Sequence, residues 1–419
     1  MTVSKLLTFF MFLCLMAAPL MNSPNESMFP LSYSALFFSV FFMFFYSFSK
    51  LLITSTKLSR FLVAILLLVL CISIFGFSSS LFSNLPVVSF QRYGTIAFLM
   101  VSILLYSTCN SQFDGSFDQF CDWITIFSVP LFVVTIVIYF FGVGLEWRSF
   151  KFLFLAIDQP VINGIRAAGF WGNPNTFASF IFYVSPFVTY ATLVKRSNTP
   201  FFLFCSIIML LGNVISLSRT GLASYSLFLI SFLLIFLSLK SKVLVLFSGV
   251  LLACFVVSFI SATGGLNIDL SRLSEISLSG RELAWGALLA SFYDSYILGV
   301  GFGVSQEVIL GPNSIDFPAH NIYLMLLSEV GVFGFLAAML FLVIPIGVSF
   351  VGLRRSAIGG RFHNMYAIFL SFFVSVLVQQ LFETHLFRYS YAMVLWLYLF
   401  GCAVGGLQSL NKSNGNKVI

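Results

Sequence analysis

The stretch FLVAILLLVLCISIFGFS, residues 61–78, decides the fold class of this chain. It runs from Phe61 to Ser78 without a charge, and Arg60 closes one end. A helix needs roughly 20 mostly apolar residues to cross the hydrocarbon core of a bilayer, so this segment reads as a span. Working outward, the same pattern recurs towards the N-terminus at 32–49 and 6–21. Towards the C-terminus it recurs at 93–108, 123–143, 174–194, 200–217, 221–239, 243–261, 321–353, 364–384 and 389–407. The tenth of these is longer than one span requires. It is expected to tilt, to begin outside the hydrocarbon, or to kink at Pro345, Gly331, Gly334 or Gly347. Lys5 followed by 6–21, with Ala17 and Ala18 near its end, also fits a signal peptide, but the loop charges sort better with the segment retained.

Composition excludes the soluble alternatives. Of 419 residues, 59% are hydrophobic and 8% charged, against about 25% charged in a soluble globular protein. The polar residues needed to coat a water-facing surface are missing, and lipid is the solvent that fits. The net charge of +7 belongs to span flanks rather than to a nucleic-acid surface. The seven cysteines show neither a disulfide framework nor zinc-ligand spacing and are expected to pack. The expectation is an all-α polytopic membrane protein of about 12 transmembrane helices, residues 1–419 forming a single domain, with no internal repeat and no linker.

With both termini in the cytoplasm, 13 of the 21 Lys and Arg fall inside, as the positive-inside rule asks. Eight of the nine lysines lie inside, whereas seven of the twelve arginines lie outside. Lysine serves as a headgroup anchor; arginine donates two parallel hydrogen bonds to phosphate. The outer face is therefore expected to bind an anionic group. Asp114, Asp118 and Asp122 fall inside, at i, i+4 and i+8, and are expected to form a solvated acidic face.

Two outer loops are long, 142–173 and 262–319. In the second, Ser279 and Glu282 have capping-box spacing. The helix after them, to about Tyr296, sets Leu283, Leu288, Leu289 and Phe292 against polar neighbours and reads as amphipathic, lying at the membrane surface.

Each chemically capable residue admits a plain reading beside a functional one. Arg219, in a tight turn between two spans, is an anion ligand or a snorkelling flank. Arg281 opens the amphipathic helix, where free N–H groups and a guanidinium can converge on an anion, or it is an ordinary surface charge beside Glu282. His320 stands where the long loop meets the tenth span, as a base or as a satisfied interfacial histidine. Glu329 lies nine residues deeper, and an intramembrane carboxylate is a functional candidate whose partner the sequence does not name. Arg166 precedes the sixth span; Asn173 and Asn175 either bind sugar hydroxyls or cap the helix around Pro174, and capping is favoured. Arg272 lies in the long loop, and Glu383, His385 and Arg388 form a third outer cluster. Gly299, Gly301 and Gly303 match no dinucleotide fingerprint and break regular structure.

In chain order stand Gly169-Phe170-Trp171-Gly172-Asn173-Pro174-Asn175, Ser216-Leu217-Ser218-Arg219-Thr220-Gly221 and Gly280-Arg281-Glu282-Leu283-Ala284-Trp285. Gly299-Val300-Gly301-Phe302-Gly303, His320-Asn321-Ile322-Tyr323-Leu324 and Glu329-Val330-Gly331 follow. Over about 160–340 this set resembles the bacterial O-antigen polymerase and O-antigen ligase superfamily. The resemblance implies a GT-C type glycosyltransferase of the inner membrane that takes saccharide from undecaprenyl diphosphate at the periplasmic face, without a metal, nucleotide sugar or other cofactor. It implies Arg219, Arg281 and His320 as catalytic residues, with Arg166, Asn175, Arg272, Glu329 and Arg388 as candidates for substrate binding. The implied partners are the lipid-linked oligosaccharide, a growing polysaccharide acceptor and a chain-length regulator, in a setting of membrane lipid and no nucleic acid. The Gly-Asn-Pro-Asn and Gly-Val-Gly-Phe-Gly elements resemble polymerases more than ligases. A lipid-linked saccharide flippase or transporter is the alternative of a different class, although the polar residues gather at one surface rather than at the midplane expected of a transporter.

Overall fold

The computed structural model describes residues 3–16, 29–54, 60–110, 115–141, 150–152, 155–157, 162–163, 166–171, 173–236, 281–305, 307, 320–388 and 390–415. Long apolar runs satisfy their own backbone only as helices when no water is at hand, and helices dominate. They are α1 (Val3–Met16), α2 (Phe29–Thr54), α3 (Arg60–Leu81), α4 (Pro86–Asn110), α5 (Ser116–Phe141) and α6 (Pro174–Thr189). Then come α7 (Thr199–Ser216), α8 (Arg219–Phe236), α9 (Arg281–Asp294), α10 (Ile322–Arg355), α11 (Arg361–Gln379) and α12 (Tyr391–Gly415). Among the described residues, nine helices are long and apolar enough to cross a membrane. The chain is thus an all-α polytopic membrane protein. The expected span at 243–261, the second half of the one at 6–21, Arg272, Ser279 and Asp114 lie outside the described residues.

Helices α6 and α12 are buried on nearly every side, whereas α3 and α8 leave large apolar side chains outward. Around α6 pack α5, α7 and α8; α12 packs on α4 and α10. The core is largely aromatic, with Phe120, Phe187 and Tyr398 in one group and Phe341, Phe373, Trp396 and Phe400 in another. Helix α6 runs on past Pro186 into a π turn, Tyr190–Lys195, a widening of the kind that proline provokes.

Three expectations change. The 142–173 loop carries short antiparallel pairs, β1 (Phe150–Phe152) with β2 (Leu155–Ile157), and β3 (Ile162–Asn163) with β4 (Arg166–Ala167). Second, Asp118 and Asp122 are clamped rather than solvated. Asp118 accepts from Arg361 (2.6 Å) and from the Tyr190 hydroxyl (2.8 Å), while Asp122 accepts from Lys195 and from Arg196 (3.1 Å). The π turn and the start of α11 bring these cations to the start of α5, and charge pairing there outweighs solvation.

Third, α10 breaks at Gly331 alone (φ 66°, ψ −175°) and passes Pro345 without a break. The gap is filled by the turn after α9. Val300 N–H donates to the Ser328 carbonyl (3.0 Å), Gly301 N–H to the Glu329 carbonyl (3.1 Å) and Val332 N–H to the Tyr296 carbonyl (2.9 Å). Only glycine fits here. A Cβ on Gly331 would lie 2.1 Å from the Ile297 carbonyl oxygen, and one on Gly299 would lie 2.3 Å from the Glu329 carbonyl oxygen.

Candidate active site

At the end of the bundle opposite the aspartate clamps, four connections converge. The first is the turn between α7 and α8. Leu217 takes a left-handed conformation (φ 50°) to end α7, and the Ser218 hydroxyl accepts from Gly221 N–H (3.3 Å) to start α8. Gly221 lies against α6, where a Cβ would come 2.4 Å from that of Ala178. These three residues set Arg219 as the first residue of α8, exposed at the bundle end.

The second connection leads into α6. Arg166 Nε donates to the Ser216 carbonyl (2.9 Å), the last of α7, and its Nη2 donates to Asn175 Oδ1 (2.8 Å). A cation suits a helix C-terminus, where carbonyls lack partners. Asn173 caps α6 by accepting from Asn175 N–H (2.8 Å), which settles its role as capping. Arg166 and Asn175 are thus tied to each other and brace the Arg219 turn.

The third is α9, which opens with Arg281. Its buried side is Ala284 and Leu288, against α10, whereas Leu283 is 84% exposed and Leu289 is 37% exposed. Leu283 and Leu289 thus face away from the protein, while Leu288 of the same expected stripe packs on it. Arg281 Nη1 reaches the Phe382 carbonyl at 3.4 Å. Burial lowers the Arg281 guanidinium from its ordinary value; Glu383 draws it back up, and Arg219 pushes it further down. The two arginines therefore sense each other, and Arg281 also sits within electrostatic range of the Glu383 carboxylate.

The fourth is the connection 380–390, meeting the start of α10. Asn321 caps α10 by accepting from Tyr323 N–H (3.0 Å) and Leu324 N–H (3.1 Å), and Ile322 N–H donates to the Gln380 carbonyl (3.1 Å). His320, just before the cap, is held at φ 45°, a conformation uncommon outside glycine. Its Nδ1 lies 3.1 Å from Glu383 Oε2. Burial pushes the Glu383 carboxyl up, but the His320 hydrogen bond, His385 and Arg281 together bring it below its ordinary value. Glu383 is thus an ionised acceptor, so His320 Nδ1 carries a proton towards it, and Nε2 is the nitrogen left to accept in a neutral imidazole. His385 Nε2 lies 2.9 Å from the Ser179 hydroxyl and 3.8 Å from Glu383, and burial lowers its pKa. Gln380 Oε1 fastens this segment by accepting from His385 N–H (3.2 Å) and Leu386 N–H (3.1 Å).

Arg281 and His320, dispersed in sequence, are therefore gathered around Glu383, with Arg219 in electrostatic range of Arg281. Glu329 and Arg388 are elsewhere. Glu329 is fully buried, accepts from Arg388 Nη2 (2.7 Å) and the Ser305 hydroxyl (2.6 Å), and has no face towards the arginine pair. The sequence reading set Glu383 and His385 in a third outer cluster with Arg388 but gave neither a role; their signal was the polar run Gln379-Gln380 and Glu383-Thr384-His385 between two apolar spans.

A membrane bundle of this kind, with two arginines and a carboxylate-bound histidine at one end, carries the donors that suit an anionic group. The particular family follows from comparison. Residues 204–339 match the family model described as O-antigen ligase, a span that begins in α7 and ends in α10 and includes Arg219, Arg281, His320 and Glu329. This region is thus similar to the O-antigen polymerase and ligase superfamily, whose members are glycosyltransferase-like membrane enzymes. No curated protein matches the chain.

Proposed function

We propose that this protein polymerises oligosaccharide repeat units carried on undecaprenyl diphosphate into O-antigen or a related surface polysaccharide, at the periplasmic face of the inner membrane. The observation that carries the reading is the placing of Arg219 and Arg281 in mutual electrostatic range beside a histidine oriented by Glu383. Two guanidiniums against one carboxylate leave net positive charge for a diphosphate.

The reaction follows from those groups. An acceptor sugar hydroxyl attacks the anomeric carbon of the donor saccharide, and His320 Nε2 takes the hydroxyl proton. A glycosidic C–O bond forms while the bond from that carbon to the carrier diphosphate breaks. The leaving diphosphate carries away the bonding pair, and Arg219 and Arg281 stabilise its growing charge as preorganised donors. One displacement inverts the anomeric centre, and the arginines supply the charge that a metal ion supplies in other transferases.

A second reading is supported by the description of the matching family, that of a ligase moving finished polymer onto lipid A–core. Deletion of the gene, read on a lipopolysaccharide gel, separates the two. Loss of a polymerase leaves lipid A–core bearing one repeat unit. Loss of a ligase leaves bare core, with polymer held on the lipid carrier. Unaltered ladders in the deletion strain would overturn both.

A further inference from the structure

We infer that Glu329, Arg388 and Gly331 are positioning residues for the proposed transfer, which set the Arg281 helix against His320 and Glu383 without touching substrate. The inference rests on the functional reading above for what is being positioned, and on independent geometry for how.

Three segments carry the site, and one buried knot joins them. Helix α10 has His320 just before its Asn321 cap and Glu329 within it. The segment 380–390 carries Glu383 and His385, and at its far end Arg388, which donates to Glu329 Oε1 at 2.7 Å and approaches Met325 Sδ at 2.7 Å. The turn after α9 enters the break in α10 through Val300 and Gly301, and then offers both the N–H (3.3 Å) and the hydroxyl (2.6 Å) of Ser305 to the same Glu329 oxygen. Glu329 thus binds all three segments at once, through its carboxylate and its backbone carbonyl. The α3–α4 hairpin closes the knot from the other side. The Ser79 hydroxyl donates to the Glu329 carbonyl, the Ser89 hydroxyl to the Phe302 carbonyl (2.9 Å), and Arg92 to the Gly303 carbonyl and Glu307 (2.6 Å).

The turn also has a mechanical consequence. Helix α9 passes directly into it, since Ser295 N–H still bonds to the Ser291 carbonyl (3.1 Å) and Gly299 N–H to that of Ser295 (2.8 Å). Wherever the turn is seated in the break, the start of α9 and its Arg281 must follow. An α10 that was continuous at Gly331 would supply its own partners for the Ser328 and Glu329 carbonyls and expel the turn. The buried carboxylate with its paired cation makes that loss costly, because either charge left alone would sit uncompensated in the protein interior.

The test uses the full-length protein in lipid nanodiscs. Spin labels go on Leu283→Cys and Leu381→Cys, both exposed at the site's edge, in a background without native cysteines. Gly331→Ala and Glu329→Gln are compared with Gly347→Ala, whose added Cβ meets nothing within 4 Å. The expected result is a lengthened or broadened label distance, with kcat reduced at least tenfold and KM for the lipid-linked donor changed less, in both test variants and not in the control. Arg388→Lys, keeping the charge, should retain more activity than Arg388→Gln. An unchanged label distance in Glu329→Gln overturns the inference even if Gly331→Ala does not accumulate. A wild-type protein without transfer activity would sink the functional reading instead, and the distances would still judge the positioning.

Discussion

Glu383 gives His320 its chemistry. A carboxylate that only accepts obliges Nδ1 to donate, and a neutral imidazole so held has its base at Nε2. Substituting His320→Ala should therefore cost a factor of about 10²–10⁴ in transfer rate, the usual worth of a positioned general base. Arg281→Ala should cost roughly 10²–10³, as the loss of one preorganised donor does. Both variants should reach the membrane at normal levels, because neither side chain is fully buried; normal polysaccharide ladders in either would discard the assignment. The neighbouring histidine sets an acid limit. His385 has a folded pKa below its ordinary 6.5, through burial, despite the upward pull of Glu383. Its neutral form is favoured by folding, so its contribution is whole above about 6.5 and is lost as pH falls towards the depressed value. Glu383, depressed below 4.5, keeps its own contribution until more acid pH. Melting temperature should thus decline between pH 7 and 5, and His385→Asn should flatten that decline; an unaltered slope would remove His385 as its source.

Helix ends place these residues, so the caps can be tested as elements. Asn321 and Asn198 each accept backbone N–H bonds at the start of a helix, Asn321 beside the site and Asn198 at the far end of the bundle, where it accepts from Phe201 N–H (2.9 Å). Removing either to alanine should cost about 1 kcal/mol of stability. Only Asn321→Ala should also reduce transfer, since the cap fixes His320 in its unusual backbone conformation; equal activity in the two variants would refute that link. The sequence made several elements readable. Long uncharged runs and the Asn-Pro starts of α6 fell where expected, because burial and capping are local properties. The hairpin pair was overlooked although Gly164 is a turn signal in the sequence, masked by a fold class read as wholly helical. Amphipathic spacing found the apolar stripe of α9 without saying which of its residues, Leu288 as it proves, packs on protein. Gly299, Gly301 and Gly303 read as a break in structure, but the break they fill lies in another helix, and no local pattern carries that information.

On the scale of the whole molecule, charge is divided between two ends. One end holds Asp118 with Arg361, and Asp122 with Lys195 and Arg196. The other holds Arg166, Arg219, Arg281, His320 and Glu383, joined through the contacts described above. That two-sided sorting was legible from alternating loops alone, because each helix carries its ends to opposite faces. Which loops meet across a face was not legible, since Glu383 reaches His320 over a gap of 63 residues. The division makes a strict prediction about access. Leu283, 84% exposed, stands at the site end, and Ile358, 91% exposed, stands between α10 and α11 at the other. Cysteines placed at these two positions, in a background without native cysteines, should differ towards a membrane-impermeant maleimide. With the outer membrane permeabilised, Leu283→Cys should label in intact cells, and Ile358→Cys only after the inner membrane is opened. The reverse order would put the site in the cytoplasm, where flipped lipid-linked units are absent, and would overturn the polymerase reading. Labelling of both in intact cells would overturn the two-ended arrangement itself.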